Sequence, residues 1–458
     1  MTVRCAVVGL GKLGASMAAA MASRGLSVIG FDVDERSVEA INQGRAPVTE
    51  TGLADMIRAN RERLRATCVL QEAVGDSDIS FVVVPTPSAE NGGFSLDRVR
   101  VAFEGIGRAL ADKSDYHLVV LTSTVLPGAT RFGLLPVLEK AAGKSCGDGF
   151  GLCYSPEFIA LGSVIDDFLN PDFTLVGEFD ERSGDVLEGL YETVLTNGAH
   201  CSRMSLENAE LAKIALNTYV TTKITFANML AELCESIPGG DVDVVSAALG
   251  LDSRIGRRYL TGAIGYGGPC FPRDNRALSY FARELGVEAL LADTTERANC
   301  RIPERIIDRL GLEVEAGTRV AVLGLAYKPG TPVIEASQSV LIARVLVEAG
   351  AVVTAFDPLA GDAARWGLVG EVTVADSIED CVRSAEIVLL TSPDPVFRRL
   401  QTEDLVGDKD RVIAVDFWRI LEPHVAGDPR IDYRALGRSV DDRERAERLS
   451  RLWDIVAT

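Results

Sequence analysis

Cys5-Ala-Val-Val-Gly-Leu-Gly-Lys-Leu-Gly14 decides the fold. A short apolar run leads into G-x-G-x-x-G. A helix is predicted over Ala15–Arg24, closed by Gly25, and Ser27–Phe31 reads as a second strand ending in Asp32. This is a strand–helix–strand unit with an acidic residue roughly twenty positions past the fingerprint, the pattern that holds a dinucleotide. Gly9 makes the tight turn, Gly11 admits a pyrophosphate, and Gly14 lets the helix pack on the strand. A carboxylate at Asp32 accepts hydrogen bonds from the adenosine ribose hydroxyls and repels a 2′-phosphate, which predicts NAD rather than NADP. Plain turn chemistry, with Asp32 as an ordinary strand-end residue, is the alternative.

The pattern recurs late in the chain. Arg319-Val-Ala-Val-Leu-Gly-Leu-Ala-Tyr-Lys328 leads to a predicted helix over Ser339–Ala349 and a strand over Ala351–Phe356, ending in Asp357-Pro358. The third strands echo as well: Asp78-Ile-Ser-Phe-Val-Val-Val-Pro-Thr-Pro87 against Ala385-Glu-Ile-Val-Leu-Leu-Thr-Ser-Pro393. The fold class is therefore α/β, with two Rossmann-like doubly wound domains. The second half keeps Gly324, lacks the other two fingerprint glycines and offers Lys328, a point charge for phosphate. An unliganded α/β domain is the other reading. Between the halves, Ser205–Ile237 runs without glycine or proline up to Pro238-Gly239-Gly240, which predicts one long helix. Apolar on several faces, such a helix is expected to connect domains and to pack in a homodimer or higher homo-oligomer. Domains are expected at 1–200, 201–305 and 306–458.

Composition narrows the class. With 458 residues, 47% hydrophobic and 25% charged, the chain has a globular mix sufficient for two or three domains. Its net charge of −19 argues against nucleic acid and anionic membrane surfaces as partners. No run approaches the roughly 18 apolar residues needed to span a bilayer. The N-terminus leads straight into a strand, which predicts no signal peptide. Nine scattered cysteines without a C-x-x-C pair fit reduced thiols in a cytoplasm, not a disulfide framework or a metal site. His117, His200 and His424 lie outside any polar, glycine-rich motif, so acid–base work falls to Lys, Asp, Glu or Cys.

The residues for chemistry lie in a few places. Gly265-Tyr-Gly-Gly-Pro-Cys-Phe-Pro-Arg-Asp274 puts a cysteine at the end of a glycine-rich turn, with Pro272 suited to the first turn of a helix. A thiol there meets unpaired N–H groups and the positive end of the helix dipole, which favour thiolate. Beside a nicotinamide, it suggests an oxidation through a thioester. Lys213 and Asn217, four apart on the long helix, share a face. Lys213 is either a snorkelling side chain or a desolvated functional cation. Asp274 fits helix capping and a catalytic carboxylate alike. Glu157 follows a predicted strand, Gly151–Tyr154, where α/β sites form, and Leu121–Gly128 is another strand-to-turn passage with hydroxyls at its end. Either could be ordinary turn chemistry.

Together these motifs resemble the UDP-glucose/GDP-mannose dehydrogenase family from Gly9 to about Arg419. They include Val84-Pro-Thr-Pro87, Ser123-Thr-Val-Leu-Pro-Gly128, Pro156-Glu-Phe158, Lys213 with Asn217, Gly267–Asp274 and Gly324–Lys328. The resemblance implies an N-terminal NAD domain, a central dimerisation region and a C-terminal domain for a nucleotide sugar, expected to be a UDP-sugar. It implies two-step oxidation of the sugar C6 alcohol, with Cys270 as nucleophile and Lys213 as oxyanion partner. Asp274 with Thr124 would manage protons, Glu157 would activate the hydrolytic water, and Asn217 would orient the C6 oxygen. Cofactor contacts are implied at Gly9, Gly11, Lys12, Leu13, Gly14, Asp32, Pro85, Thr86, Ser123 and Thr124. Substrate contacts are implied at Glu157, Phe158, Ile159, Lys213, Asn217, Tyr266, Gly267, Tyr327 and Lys328. Arg254 resembles the family arginine that reaches a neighbouring subunit's sugar.

Three positions and one segment depart from the family pattern. Pro269 stands where serine usually precedes the cysteine, Leu161 where a glutamate often contacts the cofactor, and Thr51 where proline is usual. Thr331-Pro-Val-Ile-Glu335 replaces paired aspartates and an arginine. The cysteine loop resembles the glucose and mannose branch, which favours UDP-glucose. TDP-glucose, GDP-mannose and a UDP-N-acetylhexosamine are alternatives within the same chemistry. A single-hydride hydroxyacid dehydrogenase, an NAD-using epimerase and a non-catalytic NAD-binding protein are the rivals outside it.

Overall fold

The computed structural model describes residues 3–159, 162–310, 314–439 and 443–454. The chain divides into two compact units, Met1–Leu216 and Asn217–Thr458. The first is built on an eight-stranded sheet in the order β3-β2-β1-β4-β5-β6-β7-β8. Its strands are β1 Arg4–Val8, β2 Ser27–Phe31, β3 Leu64–Thr67, β4 Ile79–Val82, β5 His117–Leu121, β6 Phe150–Tyr154, β7 Phe173–Glu178 and β8 His200–Ser205. All pairs are parallel except β6 with β7. The strand order reverses between β1 and β4, the position at which open α/β sheets bind ligands beyond their carboxyl ends. β4 and β5 are buried along their whole length, as expected for parallel strands covered on both faces. Phe81, Phe103, Phe150 and Tyr154 fill the core, each such side chain contributing about 1.5–3 kcal/mol by burial.

The second unit holds a six-stranded, wholly parallel sheet in the order β11-β10-β9-β12-β13-β14. Its strands are β9 Arg319–Leu323, β10 Val352–Phe356, β11 Thr373–Val374, β12 Ile387–Leu390, β13 Val412–Asp416 and β14 Ile431–Ala435. The order reverses between β9 and β12, repeating the plan of the first unit. Helices Val242–Gly250, Phe271–Glu284 and Leu290–Cys300 precede this sheet.

The predicted second strand, Ser27–Phe31, is found as read. The first helix begins at Lys12 rather than Ala15, because the fingerprint turn passes directly into it. The late helix spans Gln338–Glu348, and the long helix spans Leu206–Ser236. The unit boundary falls inside this long helix. Tyr219, Phe226, Met229 and Leu233 lie exposed along it. Among the described residues, no helix is long and apolar enough to cross a membrane. No group of His, Cys, Asp and Glu among them could hold a metal ion. His117 is fully buried, with Ser80 Oγ 2.8 Å from its Nε2 and the Ser77 carbonyl 3.1 Å from its Nδ1. Burial, helped by the Lys113 cation, pushes its imidazole down to about 3, so it stays neutral.

Candidate active site

The fingerprint turn is shaped for a ligand. Gly9 has φ 103°, and a Cβ on it would lie 2.4 Å from the Val83 carbonyl oxygen. A Cβ on Gly14 would lie 1.8 Å from the Gly9 carbonyl oxygen, so helix and strand pack through bare backbone. A Cβ on Gly11, by contrast, would meet nothing within 4 Å. Lys12 and Leu13 open the twelve-residue helix behind this space, and an anion there meets the positive end of a helix. Asp32 accepts from Leu10 N at 2.7 Å and from Asp34 N at 2.9 Å, one bond on each oxygen. A carboxylate has about four acceptor sites, so Asp32 retains capacity for ribose hydroxyls. The loops after β4 and β5 are stitched together: Thr86 Oγ1 donates to Thr124 O at 2.7 Å, and Ser123 Oγ donates to Val84 O at 2.6 Å. Pro85, Thr86, Ser123 and Thr124 are thus set at the strand ends beside the reversal. An open Gly11, a helix N-terminus and an acidic strand end fit NAD.

A second group lies after β6. Ser155 Oγ donates to Leu175 O at 2.8 Å and fixes the turn that carries Glu157. Lys213 is buried; its Nζ donates to the Glu157 carbonyl at 2.6 Å and lies 4.3 Å from the Phe158 ring centroid. A snorkelling lysine keeps its head in water, whereas this one is held by a carbonyl and an aromatic ring. Burial pushes the Glu157 carboxyl up to about 8, although Lys213 pulls the other way. Phe158 packs on Phe173 with ring centroids 5.0 Å apart, and Ile159 packs against the core. Leu161 lies outside the described residues.

Glu210 escaped the sequence reading. It is fully buried and accepts from Gly128 N at 2.5 Å and Thr130 N at 2.8 Å. It therefore ties the turn after Ser123–Pro127 to the helix that carries Lys213. Burial pushes its carboxyl up to about 7 against those hydrogen bonds. Its signal was a carboxylate three residues before Lys213 on the same helix.

The second unit holds the cysteine. Cys270 is the N-cap of Phe271–Glu284, is exposed, and accepts from Asp274 N at 2.8 Å through its carbonyl. Pro272 sits in the first turn, as the missing N–H allows. Asp274 is buried and accepts from Asn217 Nδ2 at 2.7 Å and from Arg273 Nε at 3.1 Å. Arg254 stands apart: its side chain is 86% exposed, and its guanidinium pairs with Asp252 at 2.6 Å.

Beyond the strand reversal of this unit lies a cleft whose wall includes Tyr327, Lys328, Ser337, Gln338, Thr391 and Trp418. The departing segment Thr331–Glu335 folds as a turn supporting it. Thr331 Oγ1 accepts from Val333 N at 3.3 Å, and Tyr327 N donates to Val333 O at 3.0 Å. Trp418 Nε1 donates to Thr391 O at 2.9 Å, which fixes the indole in the wall. Gln338 and Trp418 were not singled out from sequence. Trp418 follows the end of β13, and strand ends were the available signal.

Residues 3–195 match the NAD binding domain of the UDP-glucose/GDP-mannose dehydrogenase family, 207–301 its central domain and 321–423 its UDP binding domain. The chain is 37% identical over 420 residues to UDP-glucose 6-dehydrogenase AglM of Haloferax volcanii, covering 91% of this chain and 96% of that protein. It is 33% identical over 423 residues to GDP-mannose 6-dehydrogenase of Pseudomonas aeruginosa, covering 89% and 95%. The solved structure of a UDP-glucose dehydrogenase from Pyrobaculum islandicum superposes with a TM-score of 0.86 at 32% identity, covering 96% of this chain and 98% of that one.

Proposed function

Because the chain belongs to the UDP-glucose/GDP-mannose dehydrogenase family, whose members are NAD-dependent nucleotide-sugar 6-dehydrogenases, we propose that it converts UDP-glucose to UDP-glucuronate. The observation that carries the proposal is the exposed Cys270 at a helix N-terminus, followed one turn later by the buried Asp274–Asn217 pair. Bound NAD, held by Gly9–Gly14 and Asp32, supplies the hydride acceptor, one molecule for each two-electron oxidation. The first oxidation removes a hydride from C6 and a proton from its hydroxyl, giving the aldehyde. The Cys270 thiolate then adds to the aldehyde carbon, forming a C–S bond and an oxyanion that becomes the thiohemiacetal hydroxyl. Loss of a second hydride and of that hydroxyl proton leaves the thioester. Water adds to the thioester carbon, the C–S bond breaks, and carboxylate and thiol result.

In this proposal Lys213 stabilises the oxyanion, an effect strongest where water is excluded. Asp274, with Thr124, takes and returns protons, and Asn217 orients the C6 oxygen. Glu157, ionised, draws a proton from the hydrolytic water; a carboxyl raised to about 8 is a stronger base than an ordinary one. Lys328 meets the diphosphate. The protein acts as a homodimer through the apolar side chains exposed on Leu206–Ser236, and Arg254 reaches the partner's sugar. The likeness to GDP-mannose 6-dehydrogenases supports GDP-mannose as the second reading of the substrate.

The test is the NADH formed per sugar consumed, across UDP-glucose, TDP-glucose, GDP-mannose and a UDP-N-acetylhexosamine. Two NADH and a uronate from UDP-glucose are expected. One NADH with an aldehyde or ketone product sinks the mechanism, and preference for GDP-mannose replaces the substrate. Cys270→Ser should abolish acid formation.

A further inference from the structure

The cleft wall and the cysteine turn of the second unit share hydrogen bonds. Gln338 Nε2 donates to the Tyr266 carbonyl at 3.3 Å, a long bond, and Asn299 Nδ2 donates to the same oxygen at 3.0 Å. A second strut runs from Gly268 N to the Glu335 carbonyl at 3.0 Å. The two segments also touch through bare backbone: a Cβ on Gly267 would lie 2.3 Å from the Ala336 carbonyl oxygen. Ala336 itself is held at φ 48°, a left-handed conformation that costs a non-glycine residue free energy and clusters at ligand sites. Tyr266 is anchored again beyond its carbonyl. Its hydroxyl donates to Glu296 at 2.7 Å and accepts from Asn275 Nδ2 at 2.9 Å, and Asn275 adjoins the buried Asp274. Residues 335–338 and 265–270 are therefore braced to each other at several points.

One end of this brace is unfinished. Gln338 is 4% exposed and Ser337 is 1% exposed, and both line the cleft. Gln338 Oε1 and Ser337 Oγ have no hydrogen-bond partner among the described residues. A buried acceptor left unpaired forfeits its hydration without compensation, so the site gains when a donor arrives. Lys328 on the same wall selects an anionic ligand. A nucleoside diphosphate combines both needs, as anionic oxygens for Lys328 and a hydroxyl or imide donor for Gln338.

We infer that Gln338 is a positioning residue that couples occupancy of the nucleotide cleft to the turn presenting Cys270. A ligand donor to Oε1 fixes the amide, the fixed amide shortens the bond to the Tyr266 carbonyl, and the turn is ordered from Tyr266 to Cys270. The inference rests on the nucleotide-sugar reading of the cleft. It assigns to bound nucleotide a second task, preparing the nucleophile.

The test uses UDP, which lacks the reacting sugar, and site-resolved alkylation of the full-length protein by iodoacetamide. Exposed Cys68 and Cys300 are internal controls. UDP at saturation should change the Cys270 rate by about fivefold or more, the low end for coupled sites, and leave the controls unchanged. Gln338→Met, brought to equal UDP occupancy as measured by calorimetry, should lose that response. Ser337→Ala should weaken UDP binding and keep it. A Gln338→Met protein that binds UDP and responds like wild type overturns the inference, because simple shielding by ligand would survive the substitution. Complete loss of UDP binding in Gln338→Met also overturns it, reducing the residue to a ligand contact. Failure of the wild-type protein to bind UDP removes the nucleotide reading instead. Deoxy-UDP and 3-methyl-UDP distinguish a ribose hydroxyl donor from an imide donor.

Discussion

The two α/β units repeat one plan and use it differently. In the first, Asp32 at the end of β2 takes two backbone N–H groups, and the helix opens at Lys12, three residues after Gly9. In the second, Asp357 after β10 takes four: Leu325 N and Ala326 N at 2.7 and 2.9 Å, and Leu359 N and Ala360 N at 2.9 and 2.7 Å. Its helix opens only at Gln338, fourteen residues after Gly324. The first unit leaves backbone and carboxylate open to a cofactor. The second closes the same turn on itself and builds its cleft wall from the inserted residues. An identical strand-end aspartate thus keeps acceptor capacity in one unit and is a structural knot in the other.

The largest test of this contrast is Asp357→Ala. Four N–H groups would lose their acceptor, and stability should fall by roughly 3 kcal/mol or more in chemical denaturation. Asp32→Ala should cost less than half as much and mainly weaken NAD. Equal losses would erase the distinction. Next comes Gly11→Ala, which puts a methyl into the open space. The KM for NAD should rise about tenfold, or 1.4 kcal/mol, with an unchanged melting temperature. Its counterpart already carries that methyl as Ala326, so Ala326→Gly should leave nucleotide-sugar KM within about twofold.

A smaller effect separates the units by pH. The carboxyls raised by burial, Glu157 to about 8 and Glu210 to about 7, both lie in the first unit. The native state keeps protons that the unfolded chain releases near the ordinary carboxylate pKa. This contribution is complete below that pKa and is lost as pH rises through about 7 to 8. Melting temperatures of Glu157→Gln should therefore fall less between about pH 5 and 8 than those of wild type. Smallest of all is Arg254→Ala. The side chain is exposed beside Asp252, so the melting temperature should not move, while the sugar KM should rise if the residue serves a neighbouring subunit.

Much of this was legible in sequence. Glycine spacing and strand patterning located both sheets' first strands, the β2 boundaries and the long helix within a residue or two. Cys270 was placed at a helix N-terminus because Pro272 can only sit early in a helix. What sequence withheld is a matter of partners rather than periods. Asp357 reads like Asp32, and only three-dimensional hydrogen bonding shows its capacity filled. Glu210 and Gln338 act through backbone groups far away in sequence, which leave no spacing to detect. The departing Thr331–Glu335 segment reads as a loss, yet it folds into the support for Tyr327 and the strut to Gly268.

The cysteines described above as scattered and unpaired have a pharmacological consequence. Burial is the leading cause that raises the thiol pKa of Cys5, Cys146, Cys153, Cys201, Cys234 and Cys381. Thiols so held are poor nucleophiles at neutral pH. To a soft covalent warhead, a chain with nine sulfhydryls therefore presents six muted targets, while Cys68, Cys270 and Cys300 stand exposed, Cys270 at the head of a helix.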